Sequence, residues 1–477
     1  MPERRGRRIP LALSRVGPQP TISVTRLLVI SIVAAAAWAP AVASNEESVA
    51  VSGPAITTQI LHADLDVPPL LVERSGGVRL RRGWNLLGTV KTTLRPHQNI
   101  SLVTRFRIEH ASGHSRLVTR ELMAGIHLSG WTFTIGRGAR SLGRGERGRL
   151  LLDENTAPFD RIEIRSDRML TLPGPLDSCG EFGVVLLNGV LPFADELPED
   201  PRYSSGDDPV ERPNLLGMRF TWAPRPWVEI GLTRTAMYGG QGREAIDTFG
   251  EWWKLLTAES ENRVDGVDDA LNSEQFASVD AEVRFPWLSG QGPVDSVRYY
   301  IEYAGTDVYA SWQGDDTPGF SPIALTDLGV LQGLAVKIGA TELVFEHVRV
   351  HRDWYRHGEY AQGYTNDGIP LGHPIGSDSE GWFVRIERRA SDLDWRGRLE
   401  LSADEIGLHS GTPTRVRTLL ARWERSLSGV GSATPAVFLD LGLRSVRDPL
   451  ANDVRSVHIG LGLRFDELPK AFRVLAR

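Results

Sequence analysis

Val457-His458-Ile459-Gly460-Leu461-Gly462-Leu463-Arg464-Phe465 alternates without a break between apolar residues and His, Gly or Arg. An extended chain sends successive side chains to opposite faces, so one face here is wholly apolar and the other wholly polar or bare. The pattern recurs. Val437, Leu439, Leu441 and Leu443 oppose Phe438, Asp440, Gly442 and Arg444; Val279, Ala281, Val283 and Phe285 oppose Asp280, Glu282 and Arg284. Val297, Tyr299, Ile301 and Tyr303 likewise oppose Arg298, Tyr300 and Glu302. These are amphipathic β-strands.

The connections have two lengths. Leu216, Met218, Phe220 and Trp222 run into the turn Ala223-Pro224-Arg225-Pro226, after which Val228, Ile230 and Leu232 resume the apolar face. Proline is harmless in such a turn, where its missing N–H is not needed. A second short turn, residues 390–394, separates Trp382–Arg389 from Trp395–Ser402, whereas 191–213, 304–322 and 352–380 are long and rich in Gly, Asp and Pro. Short turns opposed to long loops fit a transmembrane barrel. Periodicity alone leaves a soluble sandwich or propeller open. Two features favour the barrel: Trp131, Trp222, Trp227, Trp287, Trp382 and Trp395 sit at strand ends, and Arg, Asp and Glu crowd the non-apolar face.

The 477 residues carry a net charge of -6, with four lysines against fifty arginines and one cysteine, Cys179. That balance excludes the dominant basic surface of nucleic-acid binders, and the cysteine count excludes an internal disulfide. Arginines up to Arg26, an apolar run from Leu27 to Ala37 and the step Ala41-Val42-Ala43 read as a signal peptide over residues 1–43. Its removal leaves a more acidic chain. No later window has the ~18 consecutive apolar residues of a spanning helix, so the strands must decide between periplasm and outer membrane. The expected organisation is a signal peptide (1–43), a periplasmic or plug segment (44–100), an outer-membrane β-barrel (101–466) and a C-terminal extension (467–477).

One segment breaks the strand pattern. Across Ala245–Arg263, Ile246, Phe249, Trp252, Trp253, Leu255 and Leu256 recur at helical spacing. A packed amphipathic helix is the leading expectation; a helix folded into the lumen, or one holding glycan through Trp252 and Trp253, is the other. His351, Asp353, His357, His373 and Asp378 lie close enough in sequence to supply metal ligands or an acid–base pair, yet HExxH and GxSxG are absent. Loop packing is the simpler reading. The glycine-rich stretch 136–148 lacks the Gly-Lys-Ser/Thr ending of a phosphate loop.

Three ordered blocks resemble the capsule assembly Wzi family. The first is Gly143-Arg144-Gly145-Glu146-Arg147-Gly148-Arg149-Leu150-Leu151-Leu152, continuing to Asn155, Pro158 and Phe159. The second runs from Pro213 to Phe220, then Trp227–Thr235 and Gly239–Arg243, into the helix with Phe249 and Trp252. The third holds Glu346-His347, Tyr355–Gly358, Gly363-Tyr364-Thr365 and Leu371–Asp378. The resemblance spans roughly residues 115 to 465. It implies an all-β, antiparallel outer-membrane barrel of about 18 strands that holds capsular or related exopolysaccharide at the surface, without enzymatic activity or cofactor. The partners it implies are surface polysaccharide and outer-membrane lipid, the barrel acting as a monomer. Arg137, Arg140, Arg144, Arg147 and Arg149 supply local positive charge for an acidic glycan, since guanidinium binds carboxylate in bidentate fashion. Trp252, Trp253, His357 and His373 complete the candidate set. The competing reading of the arginines is neutralisation of carboxylates inside the lumen, or contact with lipopolysaccharide phosphates. A diffusion porin and, further off, an outer-membrane hydrolase using His373 or Asp378 are the alternative functions.

Overall fold

The computed structural model describes residues 50–466 except 66–76, 79, 172, 193–209, 242–245, 258–272, 291, 310–323, 357–359, 391–393, 428–434 and 450–452. The expected signal peptide and C-terminal extension lie outside these residues. Among the described residues eighteen long strands form one antiparallel sheet, with the two-residue strand Leu170–Thr171 appended. They are β1 Ala50–Ala63, β2 Gly83–His97, β3 Ile100–Ala111, β4 His114–Leu128, β5 Trp131–Gly138 and β6 Phe159–Ser166. There follow β7 Glu181–Val190, β8 Asn214–Arg225, β9 Val228–Tyr238, β10 Glu274–Arg284, β11 Val294–Tyr309 and β12 Ala324–Ile338. The last six are β13 Thr341–Val350, β14 Ser379–Ala390, β15 Trp395–Ile406, β16 Thr414–Ser426, β17 Pro435–Arg447 and β18 Val454–Phe465. Each pairs with the next, and β1 pairs with β18 from Ile56↔Phe465 to Ala63↔His458, so the sheet closes on itself and leaves no edge.

Burial is inverted relative to a soluble protein. Leu461 is 57% and Val279 44% exposed, whereas Asp280 is 1% and Glu302 0% exposed. The apolar face of each amphipathic strand therefore looks out and the charged face looks in, the arrangement a bilayer imposes on a closed barrel. Tryptophans mark the rims. Trp131, Trp227, Trp287 and Trp395 lie at the end with the short turns, and Trp227 packs edge-on to Trp287 with centroids 5.8 Å apart. Trp84 and Trp382 lie towards the opposite end, Trp84 edge-on to His62 and Trp382 tilted against His347. That opposite end carries the connections 139–158, 191–213, 239–273 and 351–378, and outer-membrane barrels send their longer loops outward.

The expected periplasmic or plug segment over 44–100 is corrected by these pairings: Ala50–Ala63 and Gly83–His97 are barrel strands, joined along almost their whole length from Ala50↔Arg95 to Ala63↔Gly83. The alternation there is blurred for a physical reason. Leu61, Ala63 and Leu87 face inward and pack with Val78 and Leu80 of the connection, so both faces of these strands carry apolar residues. The helix is α1, Phe249–Thr257, starting after the described non-helical residues 246–248 of the expected 245–263; 242–245 and 258–272 lie outside the described residues. Thr248 and Glu251 cap it reciprocally: Glu251 N–H donates to Thr248 Oγ1 at 3.3 Å, and Thr248 N–H donates to Glu251 Oε2 at 3.0 Å.

Candidate functional site

The chain folds into its own lumen. Between β5 and β6, residues 139–158 turn inward from the outer rim. Leu142, Leu150, Leu151 and Leu152 are buried there against inward-facing residues of seven or more strands, among them Leu187, Leu215, Met237, Phe276 and Leu331. The loop 351–378 between β13 and β14 closes over them with Trp354, Tyr355, Tyr360 and Tyr364. The two segments are stitched together by backbone: Asp153 N–H donates to Leu371 O at 2.7 Å, and Asn155 Nδ2 donates to Pro370 O and Gly372 O at 2.9 and 2.8 Å. Tyr355 joins them a second time, giving its hydroxyl hydrogen to Leu150 O and accepting from His373 N–H at 2.7 Å.

Two strand glutamates clamp the tip of this plug through its amides. Glu302 of β11 accepts Arg144 N–H at 3.2 Å and Leu150 N–H at 3.1 Å, bridging the two stems of the turn. Glu346 of β13 accepts Glu146 N–H at 2.7 Å and the Tyr300 hydroxyl at 2.9 Å. Amide hydrogen bonds to a carboxyl group in a dry setting are stronger than the same bonds in water. The glycines of Gly143-Arg144-Gly145-Glu146-Arg147-Gly148 follow from this crowding. A Cβ on Gly145 would lie 1.7 Å from Gly148 O, and one on Gly148 2.4 Å from Pro374 Cδ. Only hydrogen fits.

The side chains of the tip are all spoken for. Arg147 reaches Asp404 of β15 through both nitrogens, at 2.6 and 2.7 Å. Arg144 engages Glu229, with Asp280 at 3.0 Å, and Asp280 in turn takes Arg219 at 2.6 Å. Glu146 sits between Arg298 and Arg385; burial works against its charge, but the two guanidinium groups outweigh burial and hold its carboxyl below the usual range. Asp153 is pushed the other way, above the usual range, because burial outweighs Arg149 at 2.9 Å. Arg137 pairs with Asp160 and Arg140 with Glu163, at 2.7 and 3.4 Å. The five arginines of the candidate glycan site thus face carboxylates of the barrel and plug, the competing sequence reading.

The other candidates separate. His373 is wholly buried under the plug, its Nδ1 accepting Ile375 N–H and its Nε2 3.9 Å from Glu346. Asp378, near the outer rim, takes His409 instead. His357 lies outside the described residues. His351 meets Asp327 at 2.9 Å and Asp353 at 3.8 Å, with Arg352 also on Asp353. The helix lies outside the barrel: its Leu255 packs with Leu216, Ala236 and Tyr238, the outward residues of β8 and β9, and Trp252 meets Tyr238 edge-on at 5.9 Å. That corrects a helix folded into the lumen. Trp253 is exposed and stacked on Phe249. Sequence reasoning did not single out Glu302 or Glu346 as site residues: Glu302 showed only as an inner-face position of an amphipathic strand, and Glu346 only as the first residue of the third family-like block.

A closed eighteen-strand barrel, apolar outside and stoppered by its own outer loops, is an outer-membrane β-barrel protein. Residues 63–402 match the family described as capsule assembly protein Wzi, and the chain belongs to that family. Among solved structures it is similar to Wzi of Escherichia coli, described as an outer membrane protein involved in group 1 capsule assembly and a carbohydrate-binding β-barrel. The TM-score is 0.63 at 15% identity, over 88% of this chain and 85% of that one. Two Pseudomonas aeruginosa structures share the fold: OccD3 (OpdP) at TM-score 0.51 and 10% identity, over 87% of this chain and 91% of that one, and the outer membrane protein OpdK at TM-score 0.51 and 11% identity, over 87% and 98%. No curated protein sequence matches the chain.

Proposed function

We propose that this protein is a non-enzymatic outer-membrane barrel that anchors capsular or related exopolysaccharide at the cell surface or assists its assembly. Membership of the capsule assembly family supports the general role, and the carbohydrate binding described for the Escherichia coli protein supports the ligand class. The observation that carries the reading is the plug. A lumen in which Glu302 and Glu346 clamp residues 144–150 while Arg147 locks onto Asp404 is built to stay closed, which a diffusion porin is not. Function then belongs to the outer face rather than to flow through the barrel.

The test is deletion of the gene in its native host, comparing cell-associated with released polysaccharide while a tagged copy is fractionated between membranes. Unchanged synthesis with polysaccharide shed into the medium is the expected result. Unaltered retention together with reduced uptake of small solutes would replace this reading with the porin.

A further inference from the structure

Above the apolar belt on one side of the barrel the outer wall turns strongly basic. The register places Arg417 of β16 opposite Ser445 of β17, and Ser445 opposite Arg455 of β18; one step nearer the outer rim, Arg415 stands opposite Arg447. These positions share the face of Leu419, Leu443 and Val457, which form the adjoining row of the apolar belt. The four arginines are exposed and radiate sideways from the wall rather than upward from loops. Arg415 has Glu405 at 2.9 Å and Arg447 has Asp453 at 3.7 Å, whereas no carboxylate partners Arg417 or Arg455 among the described residues.

We propose that this patch binds the phosphate-bearing headgroup of a glycolipid in the outer leaflet. Arg417 and Arg455 are two residues beyond the last apolar row, roughly 7 Å along the strand, which is where headgroups begin. Their Cα atoms flank Ser445 about 10 Å apart, two strand spacings, so both guanidinium groups reach one phosphate between them. Guanidinium matches phosphate geometry bidentately and is less strongly hydrated than an ammonium group, which suits the interface. Continuity with the lipid-facing belt selects a lipid over a soluble glycan, whose chain would meet the loops first.

The test uses the full barrel in detergent, wild type and the Arg417→Gln/Arg455→Gln double variant, each shown to be folded by heat-modifiable migration. Both are titrated with diphosphoryl lipid A, and with lipid A stripped of phosphate, under native mass spectrometry. Wild type is expected to bind the diphosphoryl form at least tenfold more tightly than the stripped form or than the double variant binds either; Arg349→Gln, on the opposite flank of the loop 351–378, leaves binding unchanged. Equal binding of the two lipids by wild type, or unchanged binding by the double variant, overturns the proposal. So does displacement of the lipid by equimolar inorganic phosphate. Loss of binding to a soluble acidic polysaccharide with lipid retention intact overturns it in favour of a glycan surface.

Discussion

Arg147 and Asp404 meet through two parallel hydrogen bonds, 2.6 and 2.7 Å, although 257 positions separate them in the chain. The pair ties the plug tip to the barrel wall where both side chains are nearly out of solvent. Removing one partner strands the other's charge, which costs about 3–5 kcal/mol at a buried pair. Arg147→Ala is expected to release the plug: single-channel recordings in planar bilayers, near silent for the wild type, should show openings. Arg147→Asp combined with Asp404→Arg should restore much of the closure; recordings as open as those of the single variant would discount the pair as a lock.

Acid should loosen the same tip. The Glu146 carboxyl is held below its usual range by Arg298 and Arg385 against the opposing effect of burial. Its contribution to docking is therefore fully present above the usual carboxylate value, about 4.3, and is lost as pH falls through the lower value in the folded protein. Asp153, raised by burial, runs opposite: its contribution is present at low pH and lost as pH climbs through its raised value. Cleavage within the plug by papain from pH 7 to 4.5 and by pepsin from pH 4.5 to 3, each normalised to a denatured substrate at the same pH, should increase on the acid side. In Glu146→Gln that acid-side rise should shrink, and cleavage at pH 7 should already be higher.

The barrel was legible from the sequence because a bilayer demands strict alternation: β18 shows it from Val457 to Phe465, and every apolar residue there faces outward. The first two strands were not, since Leu61 and Leu87 on their inner faces serve a local core. The arginine-rich turn was visible as a cluster, but its partners Asp280, Asp404, Glu302 and Glu346 come from strands 130 to 260 residues away, roughly, and no local pattern joins them. Alternation says that Glu302 faces in; only the folded chain says that two plug amides wait for it.

The glycines of the turn give a steric test. A Cβ on Gly148 would meet Pro374 Cδ at 2.4 Å and His373 Cδ2 at 2.8 Å, so Gly148→Ala must push the plug away from the loop 351–378. Overpacking of this kind costs about 1–3 kcal/mol. Gly250 in α1 is the counterpart, with open space where a Cβ would lie, and there alanine removes backbone freedom only. Thermal unfolding in detergent should fall for Gly148→Ala and hold or rise for Gly250→Ala. A neutral Gly148→Ala would mean that the plug is not packed against His373 and Pro374.

The decisive stretch can itself be tested by asking which face tolerates charge. Leu461 looks outward near the middle of β18, while its neighbours Gly460 and Gly462 look into the lumen. Arginine on the lipid face near the bilayer midplane costs about 2–4 kcal/mol. Leu461→Arg is therefore expected to lower the unfolding free energy of the barrel in lipid vesicles, extrapolated from urea titrations, by that amount. In detergent, whose micelle deforms around a charge, the loss should be smaller. Val457→Arg, in the last apolar row beside Arg455, should cost 1 kcal/mol or less because its side chain snorkels to the headgroups. Similar losses at both positions would deny the depth gradient, and with it the placement of the headgroup plane at Arg417 and Arg455.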